Sequence, residues 1–165
     1  MTKHHRCVPH PCQIGRWRPG FDSLGARSGP LAGRWWAFRQ TFRDGEQKIA
    51  VQQIEIKQEG DLLQVANVNL GLPEDEGGCY WSGELRLWDN EVLMGWYAAT
   101  SGTVRSKGTM YFVLHPHGLN MTGRWVGLGY DNRIMTGWAA FGQTREETEV
   151  AMKSLLDSDK APTDA

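Results

Sequence analysis

Five side chains able to hold a soft metal fall within nine residues, in His4-His5-Arg6-Cys7-Val8-Pro9-His10-Pro11-Cys12. Tetrahedral zinc takes cysteine and histidine ligands. A stretch this short, interrupted by Pro9 and Pro11 and flanked by no element that would fix it, does not set four ligands around one ion, so no metal site is expected. His115 and His117 flank Pro116 at a turn, and an unperturbed imidazole titrates at about 6.5. Spacing puts no nucleophile or carboxylate beside them. The chain carries no nucleophile elbow, zinc-protease helix, dinucleotide fingerprint or defined carboxylate pair. No catalytic residue is named, no cofactor is expected, and the sequence leans away from an enzyme without deciding it.

Binding is the chemistry the residues favour. Eight tryptophans are a large allotment for 165 residues, and flat rings with an indole N–H both line cavities and orient what enters them. The candidates are Trp35, Trp81, Trp96, Trp125 and Trp138; each would serve a packed core equally well. Tyr97, on the face shared with Ser82, adds a phenol. Arg105 and Lys107 lie in the polar connection Ser101-Gly102-Thr103-Val104-Arg105-Ser106-Lys107, where two cations and several hydroxyls suit a phosphate or carboxylate. Arg124, between Gly123 and Trp125, would need an acid or an anionic ligand if it pointed inward.

A repeated unit must position these groups. Asp89-Asn90-Glu91-Val92-Leu93-Met94-Gly95-Trp96 recurs as Asp131-Asn132-Arg133-Ile134-Met135-Thr136-Gly137-Trp138. An Asp-Asn pair between aromatic and branched stretches signals a two-residue hairpin turn. Pairing outward from such a turn sets Trp88 opposite Glu91 and Leu85 opposite Met94, and opposed residues share a face. Trp81, Leu85, Leu87, Met94 and Trp96 then form the interior side. The same arithmetic sets Trp125 opposite Trp138 and Gly127 opposite Thr136, two tryptophans side by side with glycines making room. The reverse assignment, with Val126, Leu128, Met135 and Phe141 inside, stays open.

Strands are expected from Gly33 through Phe38, at Ile49 to Lys57, Leu62 to Leu70, Cys79 to Trp88, Glu91 to Thr100, Thr109 to His115, Leu119 to Tyr130 and Arg133 to Gln143. Asp44-Gly45 marks a turn, and the acidic run Glu74-Asp75-Glu76 a solvated loop. Eight successive strands with short links form a meander, which protects its edges by closing. The expected fold is all-β, an eight-stranded antiparallel up-and-down β-barrel, with a two-sheet sandwich as the alternative. Thr144-Arg145-Glu146-Glu147 matches a capping box, and Ala151, Met152, Leu155 and Leu156 give the following helix an apolar stripe. That helix should cover Met135, Phe141 or their neighbours, or one mouth of the barrel. The organisation is a flexible basic arm at 1–30, the barrel at 31–143, a helix at 144–157 and a disordered tail at 158–165.

Net charge is -1, yet residues 1–34 hold six basic groups against Asp22 alone, a formal +5. Residues 35–143 hold nine basic and twelve acidic groups. A slightly acidic body argues against a nucleic-acid groove on its surface. No apolar run reaches the roughly 18 residues of a membrane-spanning helix and no secretory leader is evident, so no membrane contact is expected and the location is read as cytoplasmic. Three cysteines do not make a disulfide framework.

The Gly33-Arg34-Trp35 triplet, repeated as Gly123-Arg124-Trp125, resembles the Gly-x-Trp found near the first strand of the calycin superfamily, the lipocalin-like, fatty-acid-binding and avidin-like barrels. The resemblance spans residues 31–143. It implies that Trp35 closes one end of the barrel and that the interior holds a small molecule. The small barrels of bacterial nucleotide-signalling defence effectors are similar in architecture, though this chain lacks their membrane helices. The expected partner is therefore a small hydrophobic or nucleotide-like ligand, aromatic or anionic. The alternative is a solid barrel whose outer apolar face, including Val126, Leu128 or Met135, binds a partner or a second copy as a homodimer.

Overall fold

A computed structural model describes residues 31–100, 105–129 and 132–159. The arm at 1–30, including its histidines and cysteines, and the last six residues lie outside the described residues. Eight strands run in chain order: β1 Gly33–Arg43, β2 Glu46–Glu59, β3 Leu62–Asn67, β4 Trp81–Trp88, β5 Val92–Ala99, β6 Lys107–Leu114, β7 Asn120–Leu128 and β8 Ile134–Gly142. Each pairs antiparallel with the next, and β1 closes on β8 with Trp36 to Arg39 against Gly142 to Ala139. The sheet is a closed up-and-down barrel, which excludes the sandwich.

Local chemistry explains most of the strand ends. Asp44 and Gly45 both adopt positive φ, as a tight hairpin between β1 and β2 requires. β3 stops at Asn67, short of Leu70, because the Asn67 amide binds loop backbone. It donates to the carbonyls of Asn69 and Cys79, and its oxygen accepts from Trp81 N–H at 2.6 Å. These bonds anchor the long acidic connection to the wall.

Both Asp-Asn hairpins depart from the expected register. Asp89 and Asn90 take the left-handed conformations of a two-residue turn, and Glu91 N–H donates to the Trp88 carbonyl at 3.0 Å. The ladder then resumes with Trp88 against Val92, so Glu91 is an extra residue, a bulge. A shift of one residue turns every side chain of a strand to the other face. Leu93 and Tyr97 are therefore interior, whereas Met94 and Trp96 are exposed on the outer wall. In the second hairpin Leu128 pairs with Ile134 around a longer loop that Gly129 and Arg133 close at 2.9 Å. Trp125 then stands opposite Gly137, and Trp138 opposite Arg124. The two tryptophans lie on opposite faces of the wall, not side by side. Met135 and Phe141 face inward with Trp125, Val126 is exposed, and Leu128, half-buried on the Val126 side of the strand, borders the cavity only at its rim.

One end of the barrel is solid. Trp35, Ile54, Leu63, Leu93, Phe112 and Phe141 are buried together there, with Phe112 and Phe141 ring centroids 4.5 Å apart. Leu31 seals this end. Its N–H donates to Gln58 Oε1 and its carbonyl accepts from Trp35 Nε1 at 3.0 Å.

The helix α1, Arg145–Ser158, begins at Thr144, whose hydroxyl accepts from Glu147 N–H at 3.3 Å. Met152 is buried against Phe38 and Ala140, with Trp36, Trp138, Leu155 and Leu156 packed around. The helix thus covers the outside of the β1–β8 seam. It covers Ala140, the neighbour of Phe141, whereas the register turns Met135 and Phe141 themselves inward. Among the described residues no helix is long and apolar enough to cross a membrane.

Candidate ligand cavity

The interior empties toward the opposite end. There the β1–β2 turn, the acidic β3–β4 loop and the β5–β6 and β7–β8 connections surround a cavity of about 300 Å³. Its walls carry Arg39 and Thr41 from β1, Tyr97 from β5, Trp125 and Leu128 from β7 and Met135 from β8. Arg43, Cys79, Arg105 and Ser106 also line it, with Glu74 and Glu76 from the acidic loop. Glu76 is paired with Lys48 at 3.1 Å.

Trp125 is held by an unusual contact. Its Nε1 donates to the Gln40 carbonyl at 2.8 Å, beyond the last β1–β8 pair, Arg39 with Ala139. Gln40 Oε1 in turn accepts from Trp138 N–H at 2.9 Å. The two bonds bridge the seam where the backbone ladder has ended. Gly137 leaves room for the indole, since a Cβ there would lie 2.8 Å from both Trp125 Nε1 and the Gln40 carbonyl.

Arg39 points inward from β1 and is only 8% exposed. Its guanidinium lies 5.9 Å from the centroid of the Trp125 ring. It makes no ion pair among the described residues, and its Nε has no hydrogen-bond partner. The Tyr97 hydroxyl, also buried, is likewise without a partner at hydrogen-bond geometry. Burial pushes the Tyr97 pKa above its usual 10.0, against the opposing pull of the Arg39 charge and the nearby Ser106 hydroxyl. The phenol therefore stays protonated and able to donate. Gly127 makes its position accessible, since a Cβ there would run into the hydroxyl.

Of the residues singled out from sequence, Tyr97, Arg105 and Trp125 meet at this cavity. Trp81 lies behind it, edge-on to Tyr97 at 6.2 Å, with its Nε1 bonded to Gln52 Oε1 at 2.9 Å. Trp35 belongs to the solid end. Trp96 is 47% exposed and borders a groove on the outer wall with Lys57 and Glu84. Lys107 is exposed beside Ala98 and Asn132. Arg124 lies outside, 3.7 Å over the Trp138 ring and 3.3 Å from Asp159. His115 and His117 sit close together on the exposed turn between β6 and β7, outside the cavity lining, and among the described residues no acid is bonded to them.

Arg39 is the residue that sequence reasoning passed over. The alternation Trp35, Ala37, Arg39, Thr41 carries it inward, and continuing β1 past Phe38 would have found it. Among the described residues no group of histidine, cysteine and acidic side chains is placed to hold a metal. Compared with known proteins, the chain matches no family model, and no curated sequence is significantly similar to it.

Proposed function

We propose that this protein binds a small molecule in the cavity at the loop-bearing end of the barrel. The observation that carries the reading is the division of the interior, with one end packed solid and the other left with a cavity of about 300 Å³. That volume lies at the lower bound for ligand sites, roughly 300 to 1,000 Å³. A mixed lining, in which Trp125, Leu128 and Met135 supply apolar surface and a few polar groups supply orientation, is the usual make-up of such sites. The calycin-like resemblance supports the same reading, since barrels of that kind hold their ligands inside. That support is fold-level analogy.

Native mass spectrometry of the protein purified from its own host tests the proposal, joined to a fragment screen that follows the Trp125 indole N–H by NMR. A retained species, or fragments that shift this resonance, are expected. A protein that carries nothing and whose Trp125 signal no fragment moves would sink the reading.

A second reading, association through the outer wall, has one observation in its favour. Met94, Trp96, Tyr111, Val113 and Val126 are all exposed, and the register sets Met94 beside Tyr111 and Trp96 near Val126 across β5, β6 and β7. Light scattering across a concentration series distinguishes monomer from dimer.

A further inference from the structure

We infer that the ligand is a compact monoanion, a carboxylate on a flat apolar body, held by Arg39 and Tyr97; this rests on the cavity-binding reading above. A guanidinium largely withdrawn from water without an acid in contact is destabilising; Arg39 is 8% exposed, makes no ion pair among the described residues and leaves its Nε buried without a partner. The next inward residue along β1 is Ala37, buried in the apolar core, so an uncharged side chain is compatible with the strand. The cation is explained if something negative completes it. Tyr97 Oη is the second unpartnered polar atom at the same cavity. Two donors, one of them charged, match the two oxygens of a carboxylate.

Size and charge narrow the class. A volume of about 300 Å³ lies at the lower end for ligand sites and suits a small, compact body. Long acyl chains and dinucleotides are too large to be enclosed. The flat surface is Trp125, with Met135 as apolar wall and Leu128 at the rim. Arg43, paired with Asp44 at 3.6 Å, and Arg105 bring positive charge to the rim, and the carboxylates of Glu74 and Glu76 stand there as well. A doubly charged phosphate would meet those carboxylates, whereas a single negative charge is satisfied at Arg39.

Isothermal titration of the full chain with 2-naphthoate, 2-naphthamide and 2-naphthyl phosphate tests this. The three share one ring system and differ in the charge of the head. Naphthoate is expected to bind at least tenfold tighter than either of the others. Arg39→Gln should remove that preference and leave the amide unaffected, and Tyr97→Phe should weaken naphthoate by about two- to tenfold, the worth of one hydrogen bond. Circular dichroism checks that each variant is folded, and Arg39→Met, which also removes the charge while keeping most of the volume, replaces Arg39→Gln if the latter is not. Amide or phosphate binding as tightly as the carboxylate, a preference that survives loss of Arg39, or no naphthoate binding at all would overturn the proposal. If the amide binds, or fragments still move the Trp125 indole signal, the cavity reading stands without it; if nothing does, both fall.

Discussion

Replacing Gly137 with alanine adds one methyl group at the most crowded point of the cavity wall. Its Cβ would stand 2.8 Å from the Gln40 carbonyl oxygen and from Trp125 Nε1, and 3.1 Å from Trp125 Cε2. Both nearest atoms belong to the hydrogen bond that bridges the β1–β8 seam, so the indole cannot move aside without breaking it. Overpacking of this kind costs about 1–3 kcal/mol, and the lost bond about 1 kcal/mol more. The total, roughly 2–4 kcal/mol, corresponds to a melting temperature lower by about 4–16 °C at some 2–4 °C per kcal/mol for a chain this long. Urea unfolding should show the midpoint reduced with its slope unchanged, the signature of a stability change without a change in exposed surface. Trp125→Phe removes the bond without adding bulk, and the Gly137→Ala and Trp125→Phe effects should combine less than additively because they act on one contact. A Gly137→Ala protein with the parental midpoint, or strict additivity in the double variant, would refute the argument that the indole is pinned between these two strands.

Trp138→Ala should lower stability by about 2 kcal/mol, roughly half the loss typical of a fully buried tryptophan, because the ring is half-buried under α1 and Arg124. It should leave naphthoate affinity unchanged, and a parallel loss of binding would contradict the outward placement of this ring. The raised pKa of Tyr97 makes a pH prediction. The fold favours the protonated phenol, so its contribution is complete below the unfolded value near 10.0 and is lost as pH rises beyond it. The fall in melting temperature between pH 9 and pH 11 should accordingly be smaller in Tyr97→Phe, and equal falls in the two proteins would count against a buried, protonated phenol.

The eight strands, their order and the capped terminal helix were legible in the sequence, because each rests on local pattern: alternation, turn residues and a capping box; closure was expected only from the need to protect sheet edges, with a sandwich as the alternative, and the β1–β8 pairing decides it. Register was not. It depended on whether each Asp-Asn turn kept two residues or carried an extra one, and Glu91 shows how little marks the difference. Its neighbours adopt the expected turn angles, and only the ladder beyond reveals the bulge. From that single residue follows the exchange of Met94 and Trp96 for Leu93 and Tyr97 on the inner face. The candidate site was thus found in part. Trp125, Tyr97 and Arg105 were named for their chemistry, whereas Arg39 was missed because β1 was ended too early, at Phe38.

The unequal filling of the barrel has a dynamic consequence. Amides of β2, β3 and β4 around Ile54, Leu63 and Leu85 sit over dense apolar packing and should exchange with solvent only when the whole domain unfolds. Those flanking Gln40 and Trp138 are held across the seam by side chains, and such contacts can open locally at much lower free energy. Breathing at that seam would loosen the wall beside Trp125 while the Trp35 end stays shut, so hydrogen exchange should read the two ends of one barrel as separate units.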